Sequence, residues 1–135
     1  MADNYKILAQ ILPDNTNENT AYTVPSAAET TVASTTTSPF TVKVSPKAAS
    51  VQTYTIISSV IICNQHSGAV TYDMRLKQSG ESDNDKEWIF KSVSLANGKS
   101  HVLSLGMGLS AGDSIKVKIS VADKLSFTFM GIEVT

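Results

Sequence analysis

The sequence predicts an all-β protein: an antiparallel β-sandwich of jelly-roll type, with about eight strands and an extended N-terminal arm. Three observations lead there. Apolar and polar residues alternate with a period of two over several stretches. Turn-forming clusters recur at the ~8–12-residue spacing of a sandwich. No helical period of any length runs through the chain.

The first third is the least regular. Residues 5–12 and 21–24 have the composition of edge strands, separated by a polar, turn-rich stretch over 13–20. Residues 1–20 are expected to form an N-terminal arm or edge strand, and 21–135 a single sandwich domain. A Ser/Thr/Ala-rich insertion is expected at about 26–50, because ten of the twelve positions from 26 to 37 are Ser, Thr or Ala and such a stretch has little to bury. Residues 40–44 form a short run between Pro39 and Pro46, which suits an edge strand.

Beyond it the strand signals strengthen. Residues 54–63 are nearly continuously apolar and β-branched, as a central strand requires. Val70, Tyr72, Met74 and Leu76 alternate with Thr71, Asp73, Arg75 and Lys77, and Ile115, Val117, Ile119 and Val121 alternate with Lys116, Lys118 and Ser120. Both patterns describe half-buried strands with one wet face. Asn97-Gly98 predicts a hairpin between 88–95 and 99–105. Leu125, Phe127 and Phe129 begin a last alternation, whose apolar parity slips at Met130-Gly131 and resumes at Ile132 and Val134. A slip beside a glycine suggests a β-bulge there.

Composition narrows the function. The 135 residues suit one domain; 41% are hydrophobic, 17% are charged, and the net charge is −1. Such a balance sets up no long-range field to capture nucleic acid or anionic lipid, so neither is expected as a partner. The start carries no basic secretory n-region, and no apolar run approaches the ~18 residues of a membrane helix. Synthesis in a cytoplasm, with the product soluble or assembling there, is the expectation.

The chemistry-bearing residues assemble no catalytic set. Cys63 is the single cysteine, so no intrachain disulfide is possible, and its apolar run makes it a small buried hydrophobe rather than a nucleophile paired with His66. His66 is expected to cap a turn and His101 to sit on a strand surface; neither has a metal-ligand partner at standard spacing. Glu81, Asp83, Asp85 and Glu87 alternate in a loop. Alternating carboxylates suit Ca²⁺, with Glu81, Asp83 and Asp85 as its candidate ligands. Without the glycine and distal bidentate Glu of a calcium loop, and with Lys86 among them, a solvated hairpin tip is the preferred reading. Gly106, Gly108 and Gly112 precede a strand rather than the helix a phosphate loop needs, so they are expected to allow a bulge or tight crossing. Tyr72, Trp88, Phe90, Phe127 and Phe129 are expected to pack the core. No enzyme activity and no cofactor are predicted.

Five blocks of sequence resemble a family. Tyr5-Lys6-Ile7-Leu8-Ala9-Gln10, Tyr22-Thr23-Val24-Pro25, residues 57–65, residues 103–113 and residues 125–135 resemble, in order, recurrent segments of short virion structural proteins of tailed bacteriophages of marine and freshwater bacteria. The stretch 26–53 is longer than that family's usual gap. The resemblance implies a β-sandwich with a passive structural role in the virion, assembled in the host cytoplasm, and transfers no catalytic residues. Its partners would be copies of itself, in closed symmetry such as a trimer, hexamer or ring, and other virion proteins. A tail, baseplate or fibre-attachment component is expected first. A capsid decoration protein is one alternative; a receptor- or glycan-binding module at the tail tip is another. Residues 1–20 and 26–50 are expected to make inter-subunit contacts. Tyr5, Ile7, Leu8, Tyr22, Val24, Phe40, Val42 and Trp88 are the candidate interaction residues, with Trp88 beside the acidic loop the one placed for a glycan.

Overall fold

The computed structural model describes residues 4–25 and 53–134. Over these residues the chain has eight strands and one 3-10 turn. The strands are β1 (Asn4–Ile11), β2 (Asn19–Thr23), β3 (Tyr54–Asn64), β4 (Val70–Lys77), β5 (Trp88–Leu95), β6 (Ser100–Ser110), β7 (Ser114–Ile119) and β8 (Leu125–Val134), with the 3-10 turn over Asp85–Glu87 leading into β5. They form two four-stranded antiparallel sheets, ordered β1-β8-β3-β6 (sheet 1) and β2-β7-β4-β5 (sheet 2). The all-β sandwich that the alternation predicts is therefore present. The pairs β1–β8, β2–β7, β3–β6 and β4–β5 nest inside one another.

The core lies between the sheets. Sheet 1 contributes Ile57, Val60, Ile62, Leu125, Phe127 and Phe129; sheet 2 contributes Val70, Tyr72, Met74, Ile115, Val117 and Ile119, and every one is buried. Phe127 stacks parallel to Phe129 at 6.4 Å and meets Tyr72 of the other sheet edge-on at 6.0 Å. Such pairs add to the burial energy through the ring quadrupoles. The nearly continuous apolar run is the interior strand β3, hydrogen-bonded on both sides by β6 and β8. β1 and β2 are edge strands, one per sheet. Over Asn4–Ile11 the structure thus shows an edge strand rather than a free arm. The 40–44 strand and the insertion at 26–50, with Phe40 and Val42, lie outside the described residues.

Asn97-Gly98 makes a turn, with Gly98 at φ +64° and Lys99 N–H donating to the Ala96 carbonyl at 3.2 Å. It does not make the predicted hairpin. β5 ends in sheet 2 and β6 begins in sheet 1, so the turn carries the chain across the end of the sandwich. The buried side chain of Asn64, at the end of β3, holds this crossing by donating to the carbonyls of Leu95 (2.8 Å), Ala96 (3.1 Å) and Gly68 (2.9 Å). β4 is already the partner of β5, which leaves β6 to pair with β3.

The parity slip at Met130-Gly131 is real, but the bulge is not in β8. β8 runs without interruption, while its neighbours each gain a residue: Leu8 in β1, between Ile7↔Met130 and Ala9↔Phe129, and Ser58 in β3, between Ile57↔Gly131 and Ser59↔Met130. β6 is irregular at the same level, where Gly106 adopts φ +61°. Because the register of β8 is uninterrupted, Leu125, Phe127, Phe129, Gly131 and Glu133 face inward and Met130, Ile132 and Val134 lie on the other face, where Val134 is nonetheless buried. Gly131 sits tight against β3: a Cβ there would overlap the Ile56 carbonyl, a backbone atom that cannot swing away. Gly131→Ala is expected to cost roughly 2–3 kcal/mol by overpacking. Gly108→Ala, where a Cβ meets open space, should stay within about 0.5 kcal/mol. Denaturant titration of both variants checks this; equal stabilities would contradict the close approach.

Candidate functional site

Directly opposed residues of antiparallel strands share a face, so the register assigns each side chain to the inner or outer surface. On the outer face of sheet 1 lie Tyr5, Ile7 and Gln10 of β1; Ser126, Thr128, Met130, Ile132 and Val134 of β8; Tyr54, Ile56, Ser59, Ile61 and Cys63 of β3; and Ser100, Val102, Ser104, Gly108 and Ser110 of β6. None of these described positions is charged. One end of the face is apolar across three adjacent strands, where Tyr5 (59% exposed), Ile7 (54%), Tyr54 (44%) and Ile56 (40%) surround Met130, Ile132 and Val134. The Tyr5 hydroxyl is fixed on this face, 2.9 Å from Ser58 Oγ, which donates to the Met130 carbonyl at 3.1 Å.

Beneath this apolar end is a polar tie between the sheets. The buried Tyr22 hydroxyl donates to Glu133 Oε2 at 3.1 Å and is 2.9 Å from the Thr55 hydroxyl. Lys6 reaches the same Glu133 oxygen at 3.7 Å. Burial raises the Tyr22 pKa above its ordinary value; the Thr55 hydrogen bond opposes that rise and the Glu133 carboxylate adds to it. The inward turn of Glu133 and the outward turn of Ile132 and Val134 are two sides of one register.

The outer face of sheet 2 is the opposite in character. Asp73, Arg75 and Lys77 of β4 lie beside Lys118, Lys116 and Ser114 of β7. Arg75, only 4% exposed, is covered by the loop between β4 and β5. It bonds Glu87 Oε2 (3.0 Å), Asp83 Oδ2 (3.0 Å) and Glu18 Oε1, while Lys77 bonds Asp83 Oδ1 at 2.6 Å. The hydrogen bond to Glu18 is the main cause that raises the Arg75 pKa, against desolvation. Hydrogen bonds from Lys77 and then Arg75 lower the Asp83 carboxyl to about 2. Next to this network is a cleft of about 520 Å³ lined by Glu18, Arg75, Asp83, Asn84, Asp85 and Trp88. The Trp88 ring carries two cations, Lys91 Nζ at 3.7 Å and Arg75 Cζ at 5.4 Å from its centroid.

The acidic stretch is therefore not a uniformly solvated tip. Glu87 is buried because Arg75 needs a counter-ion beneath the loop, and only Glu81, Asp83 and Asp85 stay exposed. The three do not converge: Asp83 turns to Arg75 and Lys77, and Glu81 to Lys86 at 3.8 Å. Among the described residues, no group of three or more His, Cys, Asp or Glu side chains is placed to hold a metal ion.

Of the candidate interaction residues, Tyr5 and Ile7 lie on the exposed apolar face, and Trp88 lines the cleft on the other sheet. Leu8 is half-buried, because as the bulged residue it packs on the core. Tyr22 and Val24 are buried and are correspondingly core residues: Tyr22 ties the sheets, and Val24 is anchored by its N–H to the Asp113 carbonyl at 2.9 Å. Cys63 is half-buried on the outer face of sheet 1, opposite Ser100 and Ser126. His101 turns inward instead of outward, its Nδ1 3.0 Å from the Tyr72 hydroxyl, because it sits opposite the inward Ile62. Trp88 differs from Tyr72, Phe127 and Phe129 in pairing with the outward Arg75 rather than entering the core. Sequence reading missed Tyr54, Ile56 and Ile132 as surface residues. The parity slip was the signal that pointed to them.

Protein-family models, curated proteins and solved structures offer no match to this chain.

The lowered Asp83 pKa gives a pH prediction. A carboxyl depressed in the folded state stabilises above its unfolded value and loses that contribution as pH falls toward its folded one. The loop should loosen between about pH 4 and pH 2, from the ordinary 3.8 toward the depressed value near 2. Trp88, the one tryptophan, reports it. Its emission should shift over that window in the wild type, with reduced amplitude in Asp83→Asn. Equal amplitudes would contradict the Asp83 clamp.

Proposed function

We propose that this chain is a non-enzymatic structural protein of a tailed-phage particle, acting through protein–protein contacts as a tail, baseplate or fibre-attachment component. The observation that carries the structural role is the uncharged outer face of sheet 1, with its apolar end formed by Tyr5, Ile7, Tyr54, Ile56 and Ile132. Depletion of charge with exposed aromatic and aliphatic groups is the compositional signature of an interface core. A charged sheet 2 face on the same small domain gives it one side for packing and one for water.

The phage assignment rests on the five motif blocks. Several meet at one end of the sandwich: Tyr5 with Ser58, Tyr22 and Lys6 with Glu133, and Val24 with Gly112 and Asp113. The nested strand pairing supports reading the sandwich as a jelly roll, an architecture that viral coat domains use. A capsid decoration role draws on the same face. Quantitative mass spectrometry of purified particles tests the proposal: the chain should be present at a fixed copy number, and its absence would overturn the virion role.

A second reading draws on the cleft, where Trp88 stands among Asp83, Asn84 and Asp85. Aromatic and carboxylate groups side by side suit a sugar, although Lys91 and Arg75 already cover the ring. If this reading holds, glycan-array binding by the wild type should fall at least tenfold in Trp88→Ala. Absence of wild-type binding would leave the cleft to the charge network alone.

A further inference from the structure

We infer that the outer face of sheet 1 is an isologous interface, packed about a two-fold axis against the same face of a second copy. This rests on the structural reading above and names the partner of that surface.

Charge complementarity selects the occupant. Burying a charge without a paired partner is costly, so an uncharged face fits only a partner surface that is itself uncharged. The outer face of sheet 2, with Asp73, Lys77, Lys116 and Lys118, does not meet that condition. Stacking sheet 1 of one copy on sheet 2 of the next would desolvate those side chains against Tyr5, Ile7 and Ile56. Of the two outer sheet faces, the one that matches the sheet 1 face is that face itself, and a self-matching patch gives a closed two-fold pair rather than an open chain.

The dimensions agree. Four strands about 4.8 Å apart, of 8, 10, 11 and 11 residues at ~3.3 Å per residue, present roughly 600 Å² in projection. Standing side chains bring the accessible area toward the roughly 800 Å² per partner of a stable interface. The face combines exposed apolar groups with neutral polar ones, as interfaces depleted of charge do. Tyr5, Ile7, Tyr54, Ile56 and Ile132 make one end of the face apolar, and Gln10, Thr128 and the serines of β6 make the rest neutral and polar. Two sheets so packed would lie about 10 Å apart, as in any sandwich, with four layers in the pair.

Sedimentation equilibrium of the full chain tests this. The wild type should sediment as a dimer of the 14.4 kDa chain. Ile7→Lys and Ile56→Lys each place a charge in the apolar end, at positions 54% and 40% exposed. Because each substitution appears twice across a two-fold, association should weaken roughly a hundredfold or more. Lys118→Glu, on the outer face of sheet 2, should leave the dimer intact. Circular dichroism of each variant confirms folding, and Val102→Lys, at a 69% exposed site on the same face, serves if Ile56→Lys does not fold. A monomeric wild type, an odd-numbered oligomer, or a dimer indifferent to the folded sheet 1 variants would overturn the inference. A monomer that is nevertheless incorporated into particles would sink this inference alone; absence from particles would sink the virion reading whatever the mass.

Discussion

A strand with a side-chain period of two cannot change which residues it buries unless something shifts by one. In β8 the apolar sequence shifts at Met130-Gly131 while the strand itself does not. The neighbours absorb the mismatch with bulges at Leu8 and Ser58, and Gly131 lets the Ile56 carbonyl approach where a side chain would block it. From this one offset follow the inward Glu133, the Tyr22–Glu133–Lys6 tie, and the outward row of Met130, Ile132 and Val134. A bulge disrupts the ladder and leaves a residue unpaired. Here two aligned bulges give the sheet a second apolar face at one end only.

The charges are sorted as sharply as the apolar groups. Arg75 faces outward from sheet 2 yet is buried, because the loop closing β4 to β5 brings Asp83 and Glu87 down onto it and Glu18 approaches from the segment before β2. Such a network is weak evidence for stability, since the desolvation cost offsets much of the attraction. Its effect is on geometry: it specifies where the loop lies and places Trp88 beneath Lys91 and Arg75. One face is thereby wet, charged and fixed in shape. The other is uncharged.

Much of the sandwich was legible because burial on one side imposes alternation. β3, β4, β7 and the start of β8 could be placed from the run over 54–63 and the alternations through 70–76, 115–121 and 125–129. What a strand pairs with was less legible. Asn97-Gly98 dictates a local turn through the positive φ of Gly98, but whether the chain returns to its own sheet depends on Asn64, more than thirty residues away. The same limit hid the burial of Glu87, which needs Arg75 from another strand, and the inward turn of His101 toward Tyr72. Tyr22 and Val24 read as contact residues because an isolated short motif does not reveal that its tyrosine closes a tie to the last strand. Tyr5 and Ile7 alternate like core residues; the bulge at Leu8 sends them outward.

The functional reading draws on this asymmetry between faces rather than on any reactive constellation. The most direct test is a map of the phage particle to which we propose the chain belongs, at a resolution that traces the chain. The outer face of sheet 1 should be covered by protein, with Tyr5, Ile56 and Ile132 out of contact with water, while the Arg75 face of sheet 2 stays hydrated. A traced chain whose sheet 1 face stands bare in solvent, with its contacts made elsewhere, would contradict the central claim.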